Sequence, residues 1–112
     1  MVILGIDPGI AIVGYGIIEY KNNKFRVIDY GAVTTNANTP TDQRLALVYK
    51  GIDILIKNYN IDEVAIEELF FNKNVKTAIT VAQARGVIML ACTHNNKPIY
   101  EYTPLQVKQG VV

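Results

Sequence analysis

Two short apolar segments of this chain end on a carboxylate: residues 2–7, VILGID, and residues 63–67, which close on AIE. Burying a charge is costly unless it is paired or bound to a metal. A strand that ends this way therefore needs either a turn or a partner. Singly, each has an ordinary explanation. Asp7 precedes Pro8-Gly9 and suits a turn in which the carboxylate caps its own backbone. Glu67, followed by Glu68, suits a solvated strand end. Together they constrain more. If the two segments are neighbouring strands, Asp7 and Glu67 converge, and their repulsion calls for a cation between them. Strand alternation lets only one of Glu67 and Glu68 face such a site.

The rest of the pattern supports that neighbourhood. Residues 12–20 and 25–33 read as two further strands, joined by the polar turn Lys21-Asn22-Asn23-Lys24. Three strands with short turns predict an antiparallel meander. After a polar loop, Thr39-Pro40 predicts a helix start, with Thr39 as N-cap and Pro40 at the first helical position. Leu45, Val48, Ile52, Leu55 and Ile56 recur at helical spacing, with Lys50, Asp53 and Lys57 on the other face. A strand, a helix and then the strand ending in Glu67 predict a crossover and parallel pairing. Residues 70–74 read as a connector with Asn74 as N-cap, and a long helix is expected from Val75 to about Thr93. Its second half, GVIMLAC, is apolar nearly all round and needs cover on more than one side. Ala78, Ala82 and Gly86 form a small-residue stripe suited to packing on the sheet or on a second copy. Residues 98–102 read as a last strand, and Thr103-Pro104 as another helix start.

Composition narrows the class. With 11 basic and 10 acidic residues and half the chain hydrophobic, disorder is excluded. The net charge of +1 gives no global pull toward nucleic acid but leaves room for a local basic patch. Cys92 is the one cysteine, which excludes an intrachain disulfide and suggests a buried thiol in a reducing compartment. The N-terminus does not read as a signal peptide, and no membrane span is expected, since no run of about 18 apolar residues is found. The domain expected is a single one over 1–112. The end at Gly110-Val111-Val112 reads as that of a fragment.

Chemistry follows from the acids. Two carboxylates suit a hard divalent cation such as magnesium, which serves phosphoryl chemistry by activating water and stabilising a leaving oxygen. Hydrolysis of a phosphodiester is the expected reaction, with further ligands beyond residue 112. Phe70-Phe71 beside Glu67 read either as a staple onto the next helix or as a stack against an unpaired base. Lys73 and Lys76 oppose the helix dipole, and a phosphate backbone would offset that. A solvated surface is the plainer reading of each. Arg85 is placed on the small-residue stripe and reads as an interface or a surface residue, and Lys108 as a surface residue or a phosphate contact. His94 complements the C-terminus of the long helix. Gly9, Gly14 and Gly16 do not form a phosphate loop, because their spacing is wrong and a strand follows.

GIDPG, GYG, AIEELFFNKN, AQARGV and EYTPLQVKQGVV, in this order, resemble the RuvC family of Holliday junction resolvases. The likeness implies a ribonuclease H-like α/β fold: a three-stranded meander plus two parallel strands, with helices on both faces and the C-terminal helices lacking. It implies a homodimer through the helix beginning near Val75. It also implies magnesium-dependent (or manganese-dependent) nicking of four-way junction DNA, alongside a branch-migration motor in the bacterial cytoplasm. By position, Asp7 and Glu67 are implied as catalytic metal ligands. Phe70 is implied as an aromatic stacking near the junction, and Lys108 as a basic residue near the scissile strand. Ile10 stands where the family usually has Ser, and the family's remaining acidic ligands lie on a later helix, so the 112 residues alone are expected to be inactive. Three other readings compete: a YqgF-like RNA-processing nuclease, one lobe of an actin-like kinase or ATPase, and a non-catalytic dimerisation or DNA-binding module.

Overall fold

A computed structural model of the chain describes residues 1–68 and 75–102. The elements run β1 (Val2–Asp7), β2 (Ile12–Lys21), β3 (Lys24–Thr34), α1 (Thr41–Asn58), β4 (Glu63–Glu67), α2 (Val75–His94) and β5 (Ile99–Tyr102). The five strands form one sheet in the order β3-β2-β1-β4-β5. The meander β1–β2–β3 is antiparallel, while β4 pairs parallel to β1 and β5 parallel to β4.

Each junction has a local cause. Asn22 and Asn23 both hold positive φ, 54° and 60°, which is the two-residue turn whose twist matches a hairpin. Asn tolerates that region better than most side chains. Helix α1 begins one residue later than the Thr39-Pro40 signal suggested. Pro40 itself is the N-cap, with φ −54° and ψ 145°, and no side chain caps the end. Its carbonyl receives the Arg44 N–H at 3.0 Å, so the rigid ring ends the loop and opens the helix at Thr41. Helix α2 ends in a Schellman motif, as Asn96 takes φ 56° and the N–H groups of Asn96 and Lys97 bond to the Thr93 and Cys92 carbonyls. The expected Asn74 cap, the 70–74 connector and the helix start at Thr103-Pro104 lie outside the described residues.

One face of the sheet holds the core. Leu4 and Ile6 of β1, Val13 and Ile17 of β2, and Val64 and Ile66 of β4 are fully buried. They pack with Val48, Ile52, Leu55 and Ile56 of α1 and Ile88, Ala91 and Cys92 of α2. Both described helices therefore share this face. Gly51 lets α1 settle onto β3, since a Cβ there would lie 2.8 Å from Val33 Cγ1. Burial pushes the Cys92 thiol up to about 11, as befits a core residue. The opposite face, among the described residues, carries Ile3, Gly5, Asp7, Gly14, Gly16, Ala65 and Glu67, with Tyr100 at the β5 edge.

Two expectations about α2 change. By length and composition it would suffice to cross a membrane, although no such run was expected. Here, however, Ala84, Ile88, Ala91 and Cys92 bury one of its faces against the sheet and α1. Arg85 does not lie on the small-residue stripe. It turns to β5, where its guanidinium meets Glu101 at 2.6 Å with only 15% of its side chain exposed.

Truncating Ile52 to Ala should cost about 2–5 kcal/mol, because it deletes fully buried methyl groups at the centre of the α1 face. Ile54→Ala, on the 45% exposed side of the same helix, should change stability by about 0.5 kcal/mol or less. Urea unfolding of the two variants checks the assignment of the helix face.

Candidate metal centre

Asp7 reaches its place because β1 is the central strand. Its inward residues Leu4 and Ile6 fix its alternation, which sends Gly5 and Asp7 to the open face. Pro8 ends the ladder, and Gly9 turns the chain so tightly that a Cβ there would strike the Ile12 carbonyl. Thr35 pins the turn by two hydrogen bonds and is itself held by Arg44. Thr35 Oγ1 donates to the Ile10 carbonyl at 2.5 Å, Thr35 N–H donates to the Ala11 carbonyl at 3.0 Å, and Arg44 Nε donates to Thr35 Oγ1 at 3.0 Å.

Glu67 arrives by the crossover. Ile3, Leu4, Gly5 and Ile6 pair in register with Glu63, Val64, Ala65 and Ile66, so the next step along both strands places Asp7 beside Glu67. Asp62 sets this register, with its N–H donating to the Val2 carbonyl at 2.8 Å and its carboxylate accepting the Val2 N–H at 2.7 Å. Glu68 points away and is exposed. Asp7 lies close enough to Glu67 that the two could share a hydrogen bond once one of them is protonated. Two carboxyl groups can do that only with a proton between them. Burial first, then that hydrogen bond, then the Asp7 charge push the Glu67 carboxyl above its ordinary range.

The donor set fits a hard divalent cation. It is all oxygen, it is close enough for both groups to meet one ion, and Asp7 is exposed so that waters can complete the shell. Gly14, opposite Asp7 on β2, has no side chain to fill the space. Among the described residues no three His, Cys, Asp or Glu side chains cluster to hold a metal, so this pair would supply part of a coordination shell.

Of the other residues singled out from the sequence, Lys76 lies in the first turn of α2 with an exposed side chain. Phe70, Lys73 and Lys108 lie outside the described residues. His94 closes α2 with its Nδ1 2.6 Å from the Tyr49 hydroxyl, remote from the acids in the fold. Sequence reasoning missed Tyr102, which sits beside Glu67 in the β4–β5 register. Only that register carries the signal.

A five-stranded mixed sheet of this order, superposable on solved resolvases, defines the ribonuclease H-like class, here with two carboxylates at the ends of its first and fourth strands. Comparison with known proteins sharpens the class. The family model described as crossover junction endodeoxyribonuclease RuvC matches residues 3–112, and the chain belongs to this family. The RuvC of Clostridioides difficile (strain 630) is 81% identical over 112 residues, covering 100% of this chain and 66% of that protein. The RuvC of Alkaliphilus oremlandii (strain OhILAs) is 62% identical over 112 residues, covering 100% of this chain and 68% of that protein. A solved structure, T. thermophilus RuvC in complex with Holliday junction substrate, superposes with a TM-score of 0.90 at 31% identity, over 97% of this chain and 68% of that one. The chain thus spans about two thirds of the length of these relatives.

The raised Glu67 value has a consequence for stability. A carboxyl group whose folded value exceeds its unfolded one favours folding fully at pH below the ordinary carboxylate range. It loses that contribution as pH rises through the elevated value. Glu67→Gln should therefore raise the metal-free Tm near neutral pH, and the gain should vanish toward about pH 4. Thermal melts across pH check this; a gain independent of pH contradicts the sign.

Proposed function

We propose that the full-length protein is an endonuclease that resolves four-way DNA junctions by hydrolysing phosphodiester bonds in symmetric strands, in bacterial recombination and repair. The observation that carries the reading is the meeting of Asp7 and Glu67 at the ends of two adjacent parallel strands, in a chain that matches a junction-endonuclease family over residues 3–112. Family membership implies dependence on a divalent metal ion. Magnesium is the ion we assign, with manganese able to substitute, because oxygen ligands and an exposed site suit a cation that keeps its waters. Asp7 and Glu67 would hold it. When bound, it would supply a Lewis acid that activates water and stabilises the leaving oxygen.

The protein's part is to present the two acids rigidly and to keep the floor of the site low. Gly5, Gly14 and Ala65 surround the acids with little or no side chain, so a phosphodiester backbone can approach the carboxylates closely. Phe70, Lys73, Lys76 and Lys108 are proposed as DNA contacts, the aromatic by stacking on a base and the lysines on phosphates. Work beside a branch-migration motor in the cytoplasm belongs to the same reading, as does a single nuclease domain over 1–112.

A homodimer through α2 completes it. Val75 and Ile79 are 69% and 54% exposed and Leu90 is 48% exposed. Ala82 and Gly86 lie between them, also exposed, and nothing lies within 4 Å of a Cβ built at Gly86. The sequence left the stripe free to face the sheet or a second copy. Ala82 and Gly86 of that stripe face away from the core, and we read this side of α2 as a seam of near-heptad spacing for a second α2.

Asp7→Asn in the full-length protein should lower cleavage of a synthetic four-way junction by about 100-fold or more while junction binding persists; cleavage at the wild-type rate refutes the site. Gly86→Arg should convert the dimer to a monomer in analytical ultracentrifugation without lowering Tm, because it adds bulk only on the open side of α2.

A further inference from the structure

The row that carries Asp7 and Glu67 extends one residue further, onto β5. Tyr102 pairs with Glu67 in the parallel register, and alternation sends both side chains to the open face. On the other side of Asp7 the row continues through Gly14 and Ala32. Tyr102 is thus the one residue of this row, besides the two acids, whose side chain carries a polar atom. It is half-buried. Its strand is fastened twice: the Glu68 N–H donates to the Tyr102 carbonyl at 2.7 Å, and on the opposite face Arg85 grips Glu101. Burial first, then the charges of Glu67 and Asp7, push the phenol above its ordinary value, which places it within electrostatic reach of both acids.

We infer that Tyr102 is a positioning residue of the metal centre, whose O–H donates to Glu67 and orients it when a cation lies between the two acids. The inference rests on the reading of Asp7 and Glu67 as the metal-holding pair. On its β1 side Glu67 has Asp7 beside it, one step beyond the Ile6–Ile66 pair. A cation between them would take over the oxygens that face each other. Glu67 would then need a donor from its β5 side, because Gly5, Gly14 and Ala65 on β1, β2 and β4 offer no side-chain group. A phenol is such a donor. Donors to ligating carboxylates fix the ligand's orientation, and their loss typically weakens metal binding or activity about 10–100-fold.

The test uses the full-length protein with Mn2+ as probe, counting free Mn2+ by electron paramagnetic resonance. Tyr102→Phe keeps the ring and removes only the hydroxyl. It should weaken Mn2+ binding about 10-fold and leave the metal-free Tm unchanged. Junction cleavage should fall in kcat, with KM for the junction retained. Tyr102→Ala should weaken binding at least as much, and Asp7→Asn more than either. Mn2+ binding by Tyr102→Phe equal to wild type, with Asp7→Asn impaired, overturns the role of Tyr102. Wild-type binding by Asp7→Asn overturns the carboxylate pair itself.

Discussion

Parallel pairing of β1 with β4 sets two negative charges side by side, and much of the molecule answers to that constraint. The two strands alternate in step. Their even-numbered residues, Leu4, Ile6, Val64 and Ile66, are fully buried beneath α1 and α2. Their odd-numbered residues, Gly5, Asp7, Ala65 and Glu67, share the other face. Core and site are thus two readings of the same backbone. Moving the register by one residue would send the acids into the core and the isoleucines into water. The hydrophobic layer is what holds two like charges at a separation that they would not choose in solution.

The electrostatics away from this pair differ in kind. Around the helices, carboxylates are satisfied. Asp29 accepts the Tyr59 hydroxyl at 2.5 Å, and Asp53 accepts Asn95 and Lys57 at 2.8 and 2.9 Å. Hydrogen bonds from those partners hold both acids below their usual range. These contacts join α1 to β3 and to the end of α2, and they favour the folded state above acid pH. Glu67 is shifted the opposite way. Satisfied acids serve architecture here, and a carboxyl group shifted upward beside a second acid is what makes Glu67 a candidate site residue.

Much of this was readable in the sequence, for reasons that can be named. Alternation in VILGID, the Asn-Asn turn, the 3.6-residue stripe from Val48 to Ile56 and the strand ending in Glu67 are local patterns, and the structure follows them. Thr39 as cap failed because Pro40, with ψ at 145°, is still extended and takes the cap position itself. Arg85 was misplaced because its partner, Glu101, is 16 residues away and only the packing of α2 over β5 brings them together. Among the described residues its buried Nε has no hydrogen-bond partner, which no pattern in AQARG announces. Tyr102 was passed over for a similar reason. A tyrosine at a strand end means little until the register names its neighbour.

The two acids are also 60 positions apart in the chain. The β1–β2–β3 meander closes through short turns, so its contacts are cheap to form early. Docking β4 onto β1 must wait for α1 to cross over, and the entropy of closing that longer loop is met only when the core packs. The site is therefore complete only when the crossover is, since its two acids come from strands on either side of α1. A cation that needs both carboxylates would ignore the half-folded meander and recognise only chains whose crossover is complete. In this fold the ligand would act as an inspector of topology as well as a participant in chemistry.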